Sequence, residues 1–357
     1  MRDMPTIRDV AKKAGVSVGT VSHVMTGSGT VSPERRERVL AAIRELDYQP
    51  DSVARSLKTR QTKMLGAIIS DITNPFFPQL VRGAEDCAMR HRYLLITVNT
   101  DDQAEREREV LSLLLARQVD GLLLVASPKS SDQSHIERAL QSGTPIVALD
   151  RIPEGSPLDA VYVNNLKGAL MCMNHLLRLG HRRIGYLGGD WDLHNVRQRL
   201  RGYQQALEEA GIPVDETLIG YGDFRQESGY RLAKEILLRA DPPTAFFAGN
   251  AMMGIGALKA VQELGLRCPE DVALAAFDDL PFGDVIQPRL TAVAQPAYEI
   301  GRRGVELLID RIEGRTPPQG PIRVELDAEL IVRASTVASP PPPRVKPAKR
   351  PAKVRLR

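Results

Sequence analysis

Between residue 62 and about residue 336, short β-branched or leucine-rich runs alternate with amphipathic stretches at a steady interval. The runs Leu65–Ile69, Leu94–Val98, Gly121–Val125, Ile146–Leu149, Ile184–Leu187, Ala245–Ala248 and Val272–Phe277 read as strands. Leu80–Arg90, Arg106–Ala116, Leu170–Leu179, Gln198–Ala210 and Gly229–Leu238 repeat their apolar residues at helical spacing. Repeated strand–helix units imply parallel sheets covered by helices on both faces, and the length suits two such subdomains.

The first sixty residues follow a different rhythm. Thr6 can cap a helix that Asp9 reaches back to close, and this helix runs from Ile7 to Ala14 and stops at Gly15. Ser17 offers a second cap, before a short helix whose Val21 and Val24 face a core. A third helix opens at Ser32-Pro33-Glu34, a capping residue followed by a proline suited to the first helical position, and points Val39, Leu40, Ile43 and Leu46 inward. Three short helices with a tight turn between the first two predict a helix-turn-helix, with the second helix in a DNA major groove. Val18, Gly19, Thr20, Ser22 and His23 would then face DNA, joined by Thr6, Ser17 and Ser32 at the helix starts, while Ile7, Val10, Ala11, Val21 and Val24 hold the bundle. The alternative is a small three-helix domain that binds protein or only packs.

The chain has 357 residues, 43% hydrophobic, enough to fill two or three cores. No run of eighteen apolar residues is present and the first residues lack a continuous apolar stretch, so a soluble, cytoplasmic protein with no membrane partner is expected. Cys87, Cys172 and Cys268 lie far apart, which suggests neither a disulfide framework nor a thiolate metal site. His175 and His181 beside Cys172 lack the second close pair that zinc sites carry, so no metal is expected.

Charge adds more when divided along the chain. The total is +4, the first sixty residues carry +4 and residues 338–357 carry +7, so the middle is −7. Basic ends on an acidic core place any polyanion contact at the ends. The last segment, proline-rich and without an acid, is expected to be a disordered basic arm that adds salt-sensitive affinity for DNA or has no role.

Gly15-Val16-Ser17-Val18-Gly19 fits the G-x-S-x-G nucleophile elbow, but a capped helix precedes it where that elbow needs a strand. No phosphate loop or dinucleotide fingerprint is present, so no nucleotide cofactor is expected. No paired carboxylates, triad or metal cluster is placed for catalysis, and the chain reads as a non-enzyme.

The segment T-I-R-D-V-A-K-K-A-G-V-S-V-G-T-V-S-H-V-M resembles the head of the lactose-repressor (LacI/GalR) family, with His23 as in its purine-repressor branch. Tyr48-Gln49-Pro50-Asp51-Ser52-Val53-Ala54-Arg55-Ser56-Leu57-Lys58 resembles that family's hinge. A hinge of about eight residues is too short for a stable isolated helix and should order only against a partner. The resemblance implies that partner to be a second hinge helix together with the DNA minor groove, with Arg55 in contact and Leu57 wedged between base steps.

The same resemblance, from about Pro5 to about Thr336, implies a periplasmic-binding-protein-like core. It is carried by Asn74-Pro75-Phe76-Phe77, Leu149-Asp150-Arg151, Gly180-His181-Arg182-Arg183-Ile184, Arg199-Leu200-Arg201-Gly202-Tyr203, Pro269-Glu270-Asp271-Val272 and Phe277-Asp278-Asp279. Ligands of parallel α/β sheets bind beyond the carboxyl ends of the strands, where these landmarks lie. The implied effector set is Asn74, Phe76, Phe77, Asp150, Arg151, Arg199, Phe224, Asn250 and Asp278, with Phe76 stacking on the ligand, Phe224 covering it and Arg199 central.

Two departures shape the expected effector. Asn250-Ala251 and Asn164-Asn165 stand where the family carries Asn-Asp and Asp-Asn, each removing a negative charge while Arg151 and Arg199 remain. That predicts an anion, a sugar acid or sugar phosphate, rather than a neutral sugar. The competing reading of Ala251 is a lost ligand response.

The expected organisation is a head over 1–48, a hinge over 49–62, a core over 63–336 and a tail over 337–357. Within the core, 63–162 with 294–322 would form one subdomain and 163–293 with 323–336 the other. The expected protein is a homodimeric, or alternatively tetrameric, repressor of carbohydrate or related metabolic genes that reads a palindromic operator. A stand-alone sugar receptor is the rival from another class.

Overall fold

The computed structural model describes residues 5–26, 29–48, 61–128, 133–316 and 320–337. The chain divides into two compact units, Met1–Thr62 and Lys63–Arg357. In the first, helices α1 (Ile7–Ala14), α2 (Val18–Thr26) and α3 (Pro33–Glu45) close on Val10, Ala14, Val21, Val24, Val39 and Tyr48. The capping box forms: the Thr6 amide donates to Asp9 Oδ2 at 2.8 Å and the Asp9 amide to Thr6 Oγ1 at 3.4 Å. Gly15 ends α1 at φ 63°, a left-handed conformation that a side chain would resist.

The second unit holds two sheets, each of six strands among the described residues. The first takes β1 (Met64–Ile69), β2 (Leu94–Asn99), β3 (Gly121–Leu124), β4 (Ile146–Leu149), β5 (Asp159–Val163) and β11 (Arg323–Leu326) in the order β11-β5-β4-β3-β1-β2, all parallel. The second takes β6 (Ile184–Gly188), β7 (Ile219–Tyr221), β8 (Ala245–Ala248), β9 (Ala273–Phe277), β10 (Thr291–Ala294) and β12 (Glu329–Ile331) in the order β12-β10-β9-β8-β6-β7. Only β12 runs antiparallel, against β10. Both sheets therefore wind outward from their first strand and reverse there, which puts a topological switch between β1 and β3 and another between β6 and β8.

The chain passes between the sheets three times: after β5, after β10 and after β11. The last passage corrects an expected boundary, because Arg323–Leu326 pairs with Asp159–Val163 in the first sheet instead of belonging to the second. Both strands are held by Asp159, whose carboxylate takes the Ile322 amide at 2.7 Å and the Arg311 guanidinium at 2.6 Å.

The expected helices are present with longer N-terminal ends. The first core helix, α4, covers Phe76–Arg90, and α11, Ala297–Ile312, returns across it on the first sheet. Their backbones nearly touch: a β-carbon on Gly83 would sit 1.9 Å from the Tyr298 carbonyl oxygen, and one on Gly301 1.9 Å from that of Leu80. Neither contact can be relieved by rotating a side chain.

Gly83→Ala should therefore push the helices apart and lower stability by about 1–3 kcal/mol. Thermal denaturation checks this, with Arg82→Ala on the exposed side of α4 expected to change little.

Candidate functional site

On the head, Ser17 closes the start of α2 by accepting the Thr20 amide at 3.2 Å and sharing a hydrogen with the Thr20 hydroxyl at 3.0 Å. It thus sits between two helices, a setting no nucleophile elbow has. Val18, Gly19 and His23 are exposed on α2, and Thr20 and Ser22 are half-buried beside them. Val21 and Val24 point into the core, so one face of α2 packs while the other is presented. Thr6 is exposed with its side chain engaged by Asp9. Ser32 departs from expectation. It occupies the position before α3 but makes no side-chain capping bond. Arg55 and Leu57 lie outside the described residues, as does the basic tail.

In the core, the predicted effector residues gather from both sheets. Arg199, on the helix after β6, is 2% exposed and lies with its guanidinium carbon 3.7 Å from the centre of the Phe277 ring. Its Nε donates to Asn165 Oδ1 at 2.8 Å and its Nη1 to the Gly249 carbonyl at 2.5 Å. Arg151 follows β4, is equally buried, and donates Nη1 to Asp102. The Phe224 ring lies near both guanidiniums, 5.8 Å from Arg151 and 5.9 Å from Arg199, and the Phe77 ring is 5.7 Å from Arg151.

The carboxylates answer these charges. Burial pushes Asp150 up to about 6, against the opposing pull of Arg199 and Arg151, with Asp278 and Asp102 adding repulsion. Asp278 is raised for the same first reason, and Arg199 and the Gln295 amide, which donates at 2.5 Å, pull it back. Asp150, Phe224 and Asp278 all hold left-handed backbone, at φ 60°, 64° and 66°, a concentration of strain typical of binding sites.

Buried atoms at this junction with no hydrogen-bond partner include Asp150 Oδ1, Arg151 Nε and Gln295 Oε1. An acceptor and a donor left open on adjacent residues are what a ligand would fill. A cavity of about 470 Å³ begins at Arg151 and runs between the sheets past Ser127, Glu154, His194 and Arg197. Arg197 crosses that space to Glu154 at 2.7 Å.

Of the nine expected effector residues, only Arg151 lines this space. Asn250 donates to the Phe224 carbonyl at 2.8 Å and accepts the Met253 amide at 2.9 Å, so its side chain is committed to holding Phe224 and starting a helix. Asn74 accepts the Phe76 amide at 3.2 Å and shapes the turn that delivers Phe76 and Phe77, whose rings meet edge to face at 5.1 Å. Phe76 lines a separate space of about 160 Å³ with Asp278 and Gln295. Trp191 is 48% exposed and packs on Tyr221, one residue from the cavity wall rather than in it. Asp102 and Gln295, the fixed partners of Arg151 and Asp278, were not anticipated. Asp102 follows Asp101 at the end of β2, a strand-end position that could have flagged it. His175 and His181 bond Thr336 and Thr244, and among the described residues no His, Cys, Asp and Glu group could hold a metal.

With this geometry the chain can be compared with known proteins. The sequence profile of the bacterial regulatory proteins of the lacI family matches residues 6–51, and that of a periplasmic binding protein-like domain matches residues 173–336. The HTH-type transcriptional repressor CytR of Escherichia coli K12 is 37% identical over 94% of this chain and 97% of its own. The chain belongs to the LacI family. The ribose operon repressor of Halalkalibacterium halodurans is 38% identical over 93% of this chain and 97% of its own. Among solved structures, a lac repressor dimer bound to operator and an anti-inducer shares 27% identity and a TM-score of 0.83, covering 94% of this chain and 99% of that one. A CelR–cellobiose complex shares 34% identity and a TM-score of 0.71, over 93% of this chain and 99% of that one. As a LacI-family protein it is a DNA-binding transcriptional repressor and not an enzyme. Among the described residues no helix is long and apolar enough to cross a membrane.

The raised Asp150 sets a pH dependence of stability. Between its unfolded value near 4 and about 6 the folded state holds the extra proton, so stability falls as pH rises through that window and the deficit persists above it. Asp150→Asn keeps a residue that tolerates left-handed backbone and removes the charge. It should raise stability at pH 7.5 by about 1–3 kcal/mol and lose that advantage below pH 4, measured by denaturation across pH.

Proposed function

We propose that this LacI-family repressor reads a roughly palindromic operator as a homodimer, one α2 in each half-site, under control of an effector held between the two sheets of the core. Val18, Gly19, Thr20, Ser22 and His23 would meet base edges, with Thr6, Ser17 and Ser32 on the backbone. The resemblance of residues 48–58 to the family hinge supports Arg55 and Leu57 as the minor-groove element. An effector that alters cleft closure would bias whether two hinges can pair, since a few kcal/mol of differential binding suffices to order or melt so short a segment. Operator binding places the protein with the chromosome, in the cytoplasm.

The observation that carries the effector reading is the open pair Asp150 Oδ1 and Arg151 Nε. It also shifts the expected class. Asp102 offsets the charge lost at Asn164-Asn165 and Asn250-Ala251, so the cleft presents Asp102, Asp150 and Asp278 against Arg151 and Arg199. The guanidinium charge is already answered, and an acceptor such as Asp150 Oδ1 needs a hydrogen that a carboxylate or phosphate lacks. A hydroxyl both donates to Asp150 and accepts from Arg151. The effector we propose is therefore a neutral polyhydroxylated molecule with a face for Phe224, either a sugar or the pentose of a nucleoside. That the CelR structure holds cellobiose and that a ribose operon repressor is 38% identical both support it. A sugar acid or sugar phosphate could present a hydroxyl to Asp150 too, but its charged group would meet guanidiniums already answered by carboxylates.

Thermal shift and Trp191 fluorescence on the intact protein, titrated with neutral sugars, nucleosides, sugar acids and sugar phosphates, distinguish these. Saturation by a neutral class, stabilising by about 2.7 kcal/mol at a hundredfold excess over Kd, supports the proposal. Saturation by acids alone overturns it in favour of the anion, and silence with operator binding intact favours a lost ligand response. Arg199→Lys should abolish the shift, since a point charge on a flexible stem cannot reproduce the planar contacts to Asn165, Gly249 and Phe277.

On the DNA side, His23→Ala should narrow the preference for selected over unselected duplexes by about 1–3 kcal/mol while leaving unselective binding in place. Competition binding reads both quantities.

A further inference from the structure

A notch of about 560 Å³ opens on the head where the end of α1, the start of α2 and the first turns of α3 converge. Lys12, Arg35 and Arg38 line it, together with Ser17, Thr20 and the Gly15 turn, and no carboxylate does. The Arg38 guanidinium hangs over that turn, 3.7 Å from where a Gly15 β-carbon would stand.

Two other cations of the head are already paired. Lys13 pairs with Glu45 at 2.5 Å and Arg44 with Glu37 at 3.2 Å. Among the described residues neither Lys12, Arg35 nor Arg38 makes an ion pair. Three like charges around one concavity repel each other, and an anion between them reverses the sign of that energy. The start of α2 is not what makes the notch, because Ser17 Oγ already takes the Thr20 amide. The feature is the arginine pair on α3 facing Lys12 on α1, next to the exposed Val18 and Gly19.

We infer that this notch grips a backbone phosphodiester of the operator and so sets the depth and angle at which α2 enters the groove. The inference rests on the reading of α2 as the recognition helix and adds the residues that position it: Arg35 and Arg38 as the fork, Lys12 as the opposing charge. A guanidinium fork matches phosphate oxygens bidentately, carries no base information and releases counterions on contact. Contacts of this kind should therefore appear in the salt dependence of binding and not in sequence preference.

The test uses the full chain and two probes: duplex of unselected sequence, and duplex that the protein itself enriches from a random pool. Affinity is measured over a salt series for wild type, Arg35→Ala/Arg38→Ala, Arg35→Lys/Arg38→Lys and the already paired control Arg44→Ala. The double alanine variant should lower the slope of log affinity against log salt by about 0.9 for each contact removed, on both probes alike. The selected-to-unselected ratio should hold within about twofold, since phosphate contacts carry little sequence information. The lysine variant should recover most of the slope and Arg44→Ala should leave it unchanged, with circular dichroism showing that each head is folded. An unchanged slope in the double alanine variant, or an equal loss in Arg44→Ala, overturns the inference while leaving the recognition helix in place. Wild type that binds neither duplex overturns both.

Discussion

Arg199 is a full positive charge taken out of water, and much of the core is arranged around that fact. A buried guanidinium is tolerable only if its donors are met and its charge is answered. Phe277 gives it a π-face, Asn165 and the Gly249 carbonyl take two of its hydrogens, and Asp150 and Asp278 supply the field. These groups come from the ends of β5, β8, β4 and β9, so satisfying one side chain fixes how the carboxyl ends of both sheets approach each other. Arg151 with Asp102 repeats the arrangement from the first sheet. The cleft is thus pre-organised by the cost of leaving either arginine unpaired.

The periodic parts of the fold were legible because periodicity is a local property. Ile146–Leu149 and Ala245–Ala248 appear with the bounds their composition suggests, and α1 ends at the glycine that had to end it. Some of the strands that escaped lack a long apolar run. Arg323–Leu326 is an alternating edge strand, half-exposed along its length, and its place beside β5 depends on Asp159, more than 150 residues earlier in the chain. Nothing within the segment says which sheet it joins.

The site was legible as a set of positions and not as a set of partners. Strand ends pointed to Asp150, Arg199 and Asp278, yet Arg151 finds its counter-charge 49 residues away in a turn. Missing that pairing left the cleft looking more positive than it is. Asn250 shows the converse error, for a polar residue at a strand end can be there to start the next helix and hold an aromatic in strained backbone. On the head, Ser32 has the right type and place for a cap, yet its side chain makes no capping bond, and residue type alone does not reveal that.

The three passages of the chain between the sheets bear on how the protein comes into being. The first sheet is not complete until β11 has paired with β5, and α11 must already have covered β3, β4 and β5. On a ribosome, residues 64–163 therefore emerge with the β5 edge unpaired and one face covered only by α4, until α11 and β11 follow. The second sheet waits as well, for β12 is the last strand of all. Both sheets are closed by strands from the same short stretch, Arg323–Leu326 and Glu329–Ile331, so the two halves are completed almost together. A repressor connected this way cannot be cut into two independent halves without leaving each sheet short of a strand or a connection.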